Sequence, residues 1–352
     1  MRKVLFVLLI SILLCTGVSA ADLSFGQDAV YDALPSDAAG LLGEGAQSSF
    51  GEGVQRIVQG TLPGLSRAVG EAFKSAGIML CAVLLCAMAG GSDGSNPACF
   101  AGVLCIGTAG MLRMNGLSAA GVEALGQMQA FADVLVPAMT AGTAAAGGIT
   151  ASTAIYAGTA LFSDLLMHVM GGLLLPVIYT YVALRAAQIL CAGELLDRLS
   201  KLIKACFQGG IKLILFVFTA YLSITGLVSG AADATVVKAA KLALSGVVPV
   251  VGSMISDASE TVIVGAAAIR NALGVFGMLA VVAICIGPFL QTAVQLLILK
   301  AAAAAGGAFG QPQLLSLMDA LCEAMGFLLS ILAASALMLL ICCVCYLKVS
   351  PA

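Results

Sequence analysis

The sequence predicts an all-α, multi-pass membrane protein with a cleaved signal peptide, and three observations predict it. Hydrophobic residues make up 61% of the 352 and charged residues only 10%, where a soluble domain carries about 25% charged. Apolar runs recur near residues 76–91, 98–112, 134–162, 165–184, 211–230, 272–290, 292–307 and 325–347, several of them near the ~20 residues that cross a bilayer. At the start stand a basic pair (Arg2, Lys3), an apolar core over 4–14 and the small-x-small site Val18-Ser19-Ala20. That is the pattern of a secretory leader, which assigns residues 1–20 to a signal peptide. Glycine is abundant (41) and tryptophan absent; small residues let membrane helices approach closely. A net charge of −2 without a basic, aromatic-interleaved patch argues against a nucleic-acid partner.

Taken in order, residues 21–75 form the one extended polar region, extracytoplasmic if the leader is cleaved. Short amphipathic helices are expected there, around Val54, Ile57 and Val58 and then Leu62, Leu65 and Val69, broken by Gly60 and Pro63. They would lie on the membrane or on a partner. Residues 76–352 form the multi-pass domain. Runs 76–91 and 98–112, joined by a turn at 92–97, are either two thin spans or one re-entrant hairpin. Residues 113–133, with Arg113, Glu123 and Asp133, read as a polar connection. Run 134–162 is rich in Ala, Gly and Thr and reads as a packed helix or one broken at Gly147-Gly148. Run 165–184 reads as a span kinked at Pro176.

Residues 188–208 are amphipathic. Leu195, Leu196, Leu199, Leu202, Ile203, Cys206 and Phe207 fall on one helical face. Glu194, Asp197, Arg198, Lys201 and Lys204 fall on the other, with Glu194–Arg198 and Asp197–Lys201 at i,i+4. This predicts a helix along the membrane surface. Spans at 211–230, 272–290 and 325–347, a weaker amphipathic piece at 236–244, an Ala-rich run at 292–307 and a break at 311–313 complete the chain. Segment 185–212 holds five of the fourteen basic residues left when Arg2 and Lys3 are removed from sixteen. The positive-inside rule makes it cytoplasmic. An odd number of crossings must then precede it, with 134–162 the run that does not cross. Pro137 and Pro176, like Pro249 and Pro288, stand 39 apart, a hint of an internal two-fold repeat as in many transporters.

The chemistry is sparse. No Gly-x4-Gly-Lys-Ser/Thr loop or Gly-x-Ser-x-Gly elbow occurs. A single histidine, His168, rules out a His-cluster metal site. It stands one helical turn from Asp164, as either a proton relay or a hydrogen-bonded pair near a helix end. The eleven cysteines beyond Cys15 sit in or beside apolar runs and read as free thiols acting as small hydrophobes. Cys342-Cys343-x-Cys345 is a weak signal for palmitoylation or a metal. No catalytic residue, cofactor or metal ligand is assigned.

The most specific stretch is residues 247–291. It has a turn at Pro249 and Gly252, a polar patch that includes Asp257 and Glu260, the pair Arg270-Asn271, then Gly274 and an apolar run containing Pro288. A cation beside hydrocarbon needs an acid or a route to the head groups. Arg270 therefore pairs with Asp257 or Glu260 and locks a central hairpin, or snorkels to the surface. The candidate structural and interaction residues are Pro249, Gly252, Asp257, Glu260, Arg270, Asn271, Gly274 and Pro288.

The order of these motifs, P-V-V-G at 249–252, S-D-A at 256–258, E-T-V at 260–262, R-N at 270–271, G-V-x-G at 274–277 and Pro288, resembles the stage III sporulation protein AE family. The likeness extends over nearly all of the chain beyond the leader. It implies a non-enzymatic membrane component of the channel between mother cell and forespore, resident in the mother-cell membrane around the forespore. Its implied partners are a cytosolic ATPase, ring-forming membrane proteins and the lipid bilayer. The sequence departs from the family in its Ala and Cys content and in the absence of charged residues over 306–313. The competing reading is a secondary transporter with a repeat-built substrate site around 247–291.

Overall fold

The computed structural model describes residues 30, 32–42, 50–89, 97–145, 149–168, 175–191, 194–247, 252–309 and 312–348. The side chains of 225–270, and of a few residues at helix ends, lie outside the described set. The signal peptide, the turn at 92–96 and Pro249 fall outside it too. Every described element is helical: α1 (Ser36–Leu42), α2 (Phe50–Met88), α3 (Pro97–Ala145), α4 (Ile149–His168), α5 (Leu175–Cys191), α6 (Glu194–Val247), α7 (Gly252–Gly306), a 3-10 turn (Gly307–Phe309) and α8 (Pro312–Lys348).

The bundle is built around α8 and α7. Between Leu314 and Tyr346, α8 carries apolar residues on all sides, and 83% of its most apolar stretch is buried. A helix apolar all round has no solvent face to offer and goes to the centre. Helix α7 packs along it, α2 and α3 flank α7, α5 and α6 close the other side, and α4 rests on α6 and α3. Aromatic contacts fasten the second group: Phe327 of α8 meets Phe207 of α6 at 4.6 Å and Tyr181 of α5 at 5.5 Å between ring centroids. Phe162 of α4 meets Phe218 of α6 at 5.2 Å. The short α1 lies across α2 and α7, its last carbonyl held where Arg56 donates to Leu42 O at 3.0 Å.

Five helices among the described residues are long and apolar enough to cross a membrane: Phe50–Met88, Pro97–Ala144, Leu195–Ile224, Asn271–Phe309 and Pro312–Lys348. Several expected elements fuse into them. The two short helices expected around 54–58 and 62–69 are one, the first half of α2, which runs through Gly60 and Pro63 without a break; α1 was not foreseen. Residues 113–133 are helical, not a connection. Met114, Leu117, Gly121, Leu125, Met128, Phe131 and Leu135 are buried at three- and four-residue spacing, which is one helical face. Run 134–162 divides between α3 and α4, which begins at Ile149 just after Gly147-Gly148.

Run 165–184 includes residues 169–174, which lie outside the described set; α4 is described to His168 and α5 from Leu175. The surface helix at 188–208 is continuous with the span that follows, as α6. Runs 272–290 and 292–307 are one helix, α7. The polar step between them is satisfied in place, because Thr292 Oγ1 donates to Pro288 O at 2.9 Å. Both halves of the suggested repeat include residues outside the described set, 146–148 and 169–174 in one and 249–251 in the other.

Candidate functional site

The polar side chains of the bundle form a belt across six helices. At one end Arg113 of α3 donates to Glu71 of α2 at 2.7 Å and to Gln295 of α7 at 3.0 Å. Two residues along α3, Asn115 accepts a hydrogen bond from Tyr179 of α5. Two residues along α5, Tyr181 donates to Glu323 of α8, which also pairs with Lys204 of α6. One turn further, Arg185 reaches Gln188 at 2.9 Å, Asp197 of α6 at 3.4 Å and Ser316 of α8 at 3.0 Å. Neighbouring links are two to four residues apart on a shared helix, so they stand within roughly 3–6 Å of one level.

The belt has a physical cause. A charged group beside hydrocarbon is costly alone, and neighbouring helices supply its counter-charge. Three cations, Arg185, Lys201 and Lys204, meet two acids, Asp197 and Glu323. Helix α6 shows how the chain manages this. Asp197, Ser200, Lys204, Phe207 and Ile211 face the bundle, while Leu195, Leu199 and Leu202 face out, Leu195 with 72% of its surface exposed. The amphipathic pattern of 188–208 is split by the packing: Asp197 and Lys204 turn inward with Phe207, while Arg198 and Lys201 stay exposed beside Leu195, Leu199 and Leu202. The expected i,i+4 pair Asp197–Lys201 forms at 2.5 Å.

A second polar group lies toward the far end of α8. Tyr346 Oη is 2.6 Å from Thr140 Oγ1 of α3, and Cys342 Sγ is 2.9 Å from Thr159 Oγ1 of α4. Cys342 and Cys343 are buried, which places them as interior groups and not as lipid-attachment sites. Asp164 and His168 meet at 3.7 Å, both largely exposed at the end of α4, which fits a helix-end pair and not an interior relay.

Of the residues singled out in the sequence, Gly252 begins α7 and Pro288 lies inside it. The backbones of Asp257, Glu260 and Arg270 are on the same unbroken helix, which replaces the expected hairpin. Their side chains, and so the proposed ion pair, lie outside the described residues. Glu260 and Arg270 are ten residues apart on that helix, roughly 15 Å along its axis. Asn271 is half-buried. Gly274 has a clear packing role: a Cβ there would stand 2.6 Å from Leu347 Cδ2 of α8. Its neighbour one turn on, Gly277, is as close to Leu135 of α3. The central stretch thus brings α7 against both α8 and α3.

The belt itself was missed. Arg113, Glu323 and Tyr181 are far apart in sequence, and only the i,i+4 pattern of α6 gave a local sign of it. A cleft of about 290 Å³ lies apart from the belt, between α1, α2 and α7, lined by Asp37, Thr61, Gln291 and apolar neighbours.

Comparison with known proteins points to one family. The family model described as stage III sporulation protein AE matches residues 67–350, from about one turn before Glu71 in α2 to beyond the end of α8. A stage III sporulation protein AE from Bacillus subtilis (strain 168) is 25% identical over 220 residues, which cover 61% of this chain and 54% of that protein. The alignment therefore spans about half the length of that relative. No solved structure matches the chain. An all-helical bundle with five span-length helices, matched over four-fifths of its length by one family model, belongs to the stage III sporulation protein AE family and is a sporulation membrane protein.

Proposed function

We propose that this protein is a non-enzymatic membrane subunit of the channel complex that links mother cell and forespore during endospore formation. It resides in the mother-cell membrane around the forespore. Its partners are the cytosolic ATPase and ring-forming membrane proteins of that complex, and its role is to assemble the channel and sustain forespore development. The observation that carries this reading is the family match over 67–350, laid on a bundle whose charged side chains are joined across helices. Groups used this way hold helices in register, which is what a fixed subunit of a larger assembly requires.

Two measurements test it. In a sporulating host, loss of the protein is expected to arrest forespore development, and affinity capture of the tagged protein from sporulating cells is expected to recover the ATPase and ring proteins. Proteoliposomes holding the purified protein alone are expected to move no solute. Uptake by the protein alone, abolished by replacing Arg270 or Asp257, would overturn the proposal and favour a transporter.

A further inference from the structure

Inside a membrane bundle a hydroxyl has no bulk water to turn to, so serine and threonine bond back to their own helix. Thr140, Thr143, Thr159, Thr292 and Ser330 do so, each donating to the carbonyl four residues before it at 2.7–2.9 Å. Ser335 of α8 does not. It is 5% exposed, and its covered Oγ meets no hydrogen-bond partner in the protein. The same holds for Oε1 of Gln129 on α3. Both side chains line one cavity of about 20 Å³, and Ser163 of α4 joins them there. The rest of the lining is apolar and includes Met128 and Met338, 1% and 2% exposed.

Size and chemistry narrow the occupant. A cavity needs roughly 10–15 Å³ by this measure to hold one water, so the space admits one molecule and not a second. The lining offers an acceptor in Gln129 Oε1 and two hydroxyls that donate or accept, close to the three or so partners that an internal water takes. It holds no carboxylate, the counter-charge that a cation drawn into apolar surroundings needs. A dry cavity would leave both buried oxygens orphaned, which folded proteins avoid.

The position in the bundle agrees. Ser163, Thr159 and Ser152 run down α4 as Ser335, Cys342 and Tyr346 run up α8. Cys342 meets Thr159 at 2.9 Å, and Tyr346 Oη donates to Ser152 O at 3.5 Å. The cavity is the next step of that seam, at a level where the polar side chain of α8 falls short of its neighbours. We infer that this cavity binds one ordered water, which donates to Gln129 Oε1, is shared with the hydroxyls of Ser335 and Ser163, and so joins α3, α4 and α8.

The test uses the full chain in detergent micelles, and the probe is water itself. X-ray radiolysis turns a bound water into hydroxyl radical, which oxidises the side chains beside it, and mass spectrometry locates the product. Met128 and Met338 are expected to oxidise several-fold faster than Met139 and Met318, which are equally buried and line no part of the cavity. The Q129L/S335A variant is expected to lose that excess. Its folding is followed by a thiol-reactive dye that reaches the buried Cys285 and Cys322 only on unfolding; if the variant does not fold, the comparison of the four methionines in the wild type decides. Replacing sodium by choline in the buffer is expected to change neither the oxidation nor the unfolding temperature. Equal oxidation of the four methionines, an excess that persists in the folded variant, or a dependence on sodium would overturn the inference, the last in favour of a bound cation.

Discussion

Glu323 accepts from Tyr181 and Lys204 at once, so removing its charge strips two helices of a shared acceptor. Glu323→Gln is expected to lower the unfolding temperature. A double-mutant cycle with Lys204→Met should give a coupling of about 1 kcal/mol, the scale of interhelical polar contacts in membrane bundles. A coupling indistinguishable from zero would mean that the pair is incidental. Gly277 tests packing instead of charge. Gly277→Ala asks only the tip of Leu135 to move, so its effect should be small. Gly277→Leu forces α7 from α3 and should cost about 1–3 kcal/mol. Thermal unfolding of both variants in detergent decides it.

At the scale of the element, α3 makes the sharpest claim. Its stretch over 113–133 carries Arg113, Glu123 and Asp133, yet the backbone is helical throughout. Arg113 has its acid on α2 and its amide partner on α7, while the apolar residues of this stretch keep a helical spacing that points into the core. Amide hydrogen exchange over 113–133 should therefore be as slow as over 98–112. Exchange on the timescale of a solvated loop would show that the helix is interrupted. The charges of this stretch mask a period that Met114, Leu117, Leu125, Met128 and Phe131 spell out, and counting that period is what would have found the helix.

The whole molecule is longer than the membrane it occupies. Helix α8 has 37 residues, roughly 55 Å, against a hydrocarbon core of about 30 Å. From Glu323, about 25 residues run one way and about 11 the other, near 37 Å and 17 Å. The shorter-arm side is apolar as well, because runs 76–91 and 98–112 of α2 and α3 lie there, so α8 is longer than the hydrocarbon whichever arm it fills. A nanodisc reconstruction should show ordered helix of α8 continuing past the lipid, roughly 25 Å in total. Helices that all end at the lipid surface would contradict this.

The sequence by itself determined the material of this protein: an all-helical chain, rich in small and apolar residues, with too few charges to be anything but membrane-embedded. Composition and periodicity are sums over neighbours along the chain, and they settle such questions without a fold. The order of motifs from 249 to 288 was likewise sufficient to place the family. Only the tertiary structure decided which helices are continuous, which way α6 faces, and where the charges go. Arg113 reads as a loop residue until Glu71 and Gln295 stand beside it, and residues 188–208 read as a helix along the membrane surface until α5 and α8 offer Arg185 and Glu323 to Asp197 and Lys204. Whether a charge breaks a membrane helix or fastens it depends on a partner that is distant in the chain, and that partner is supplied by packing.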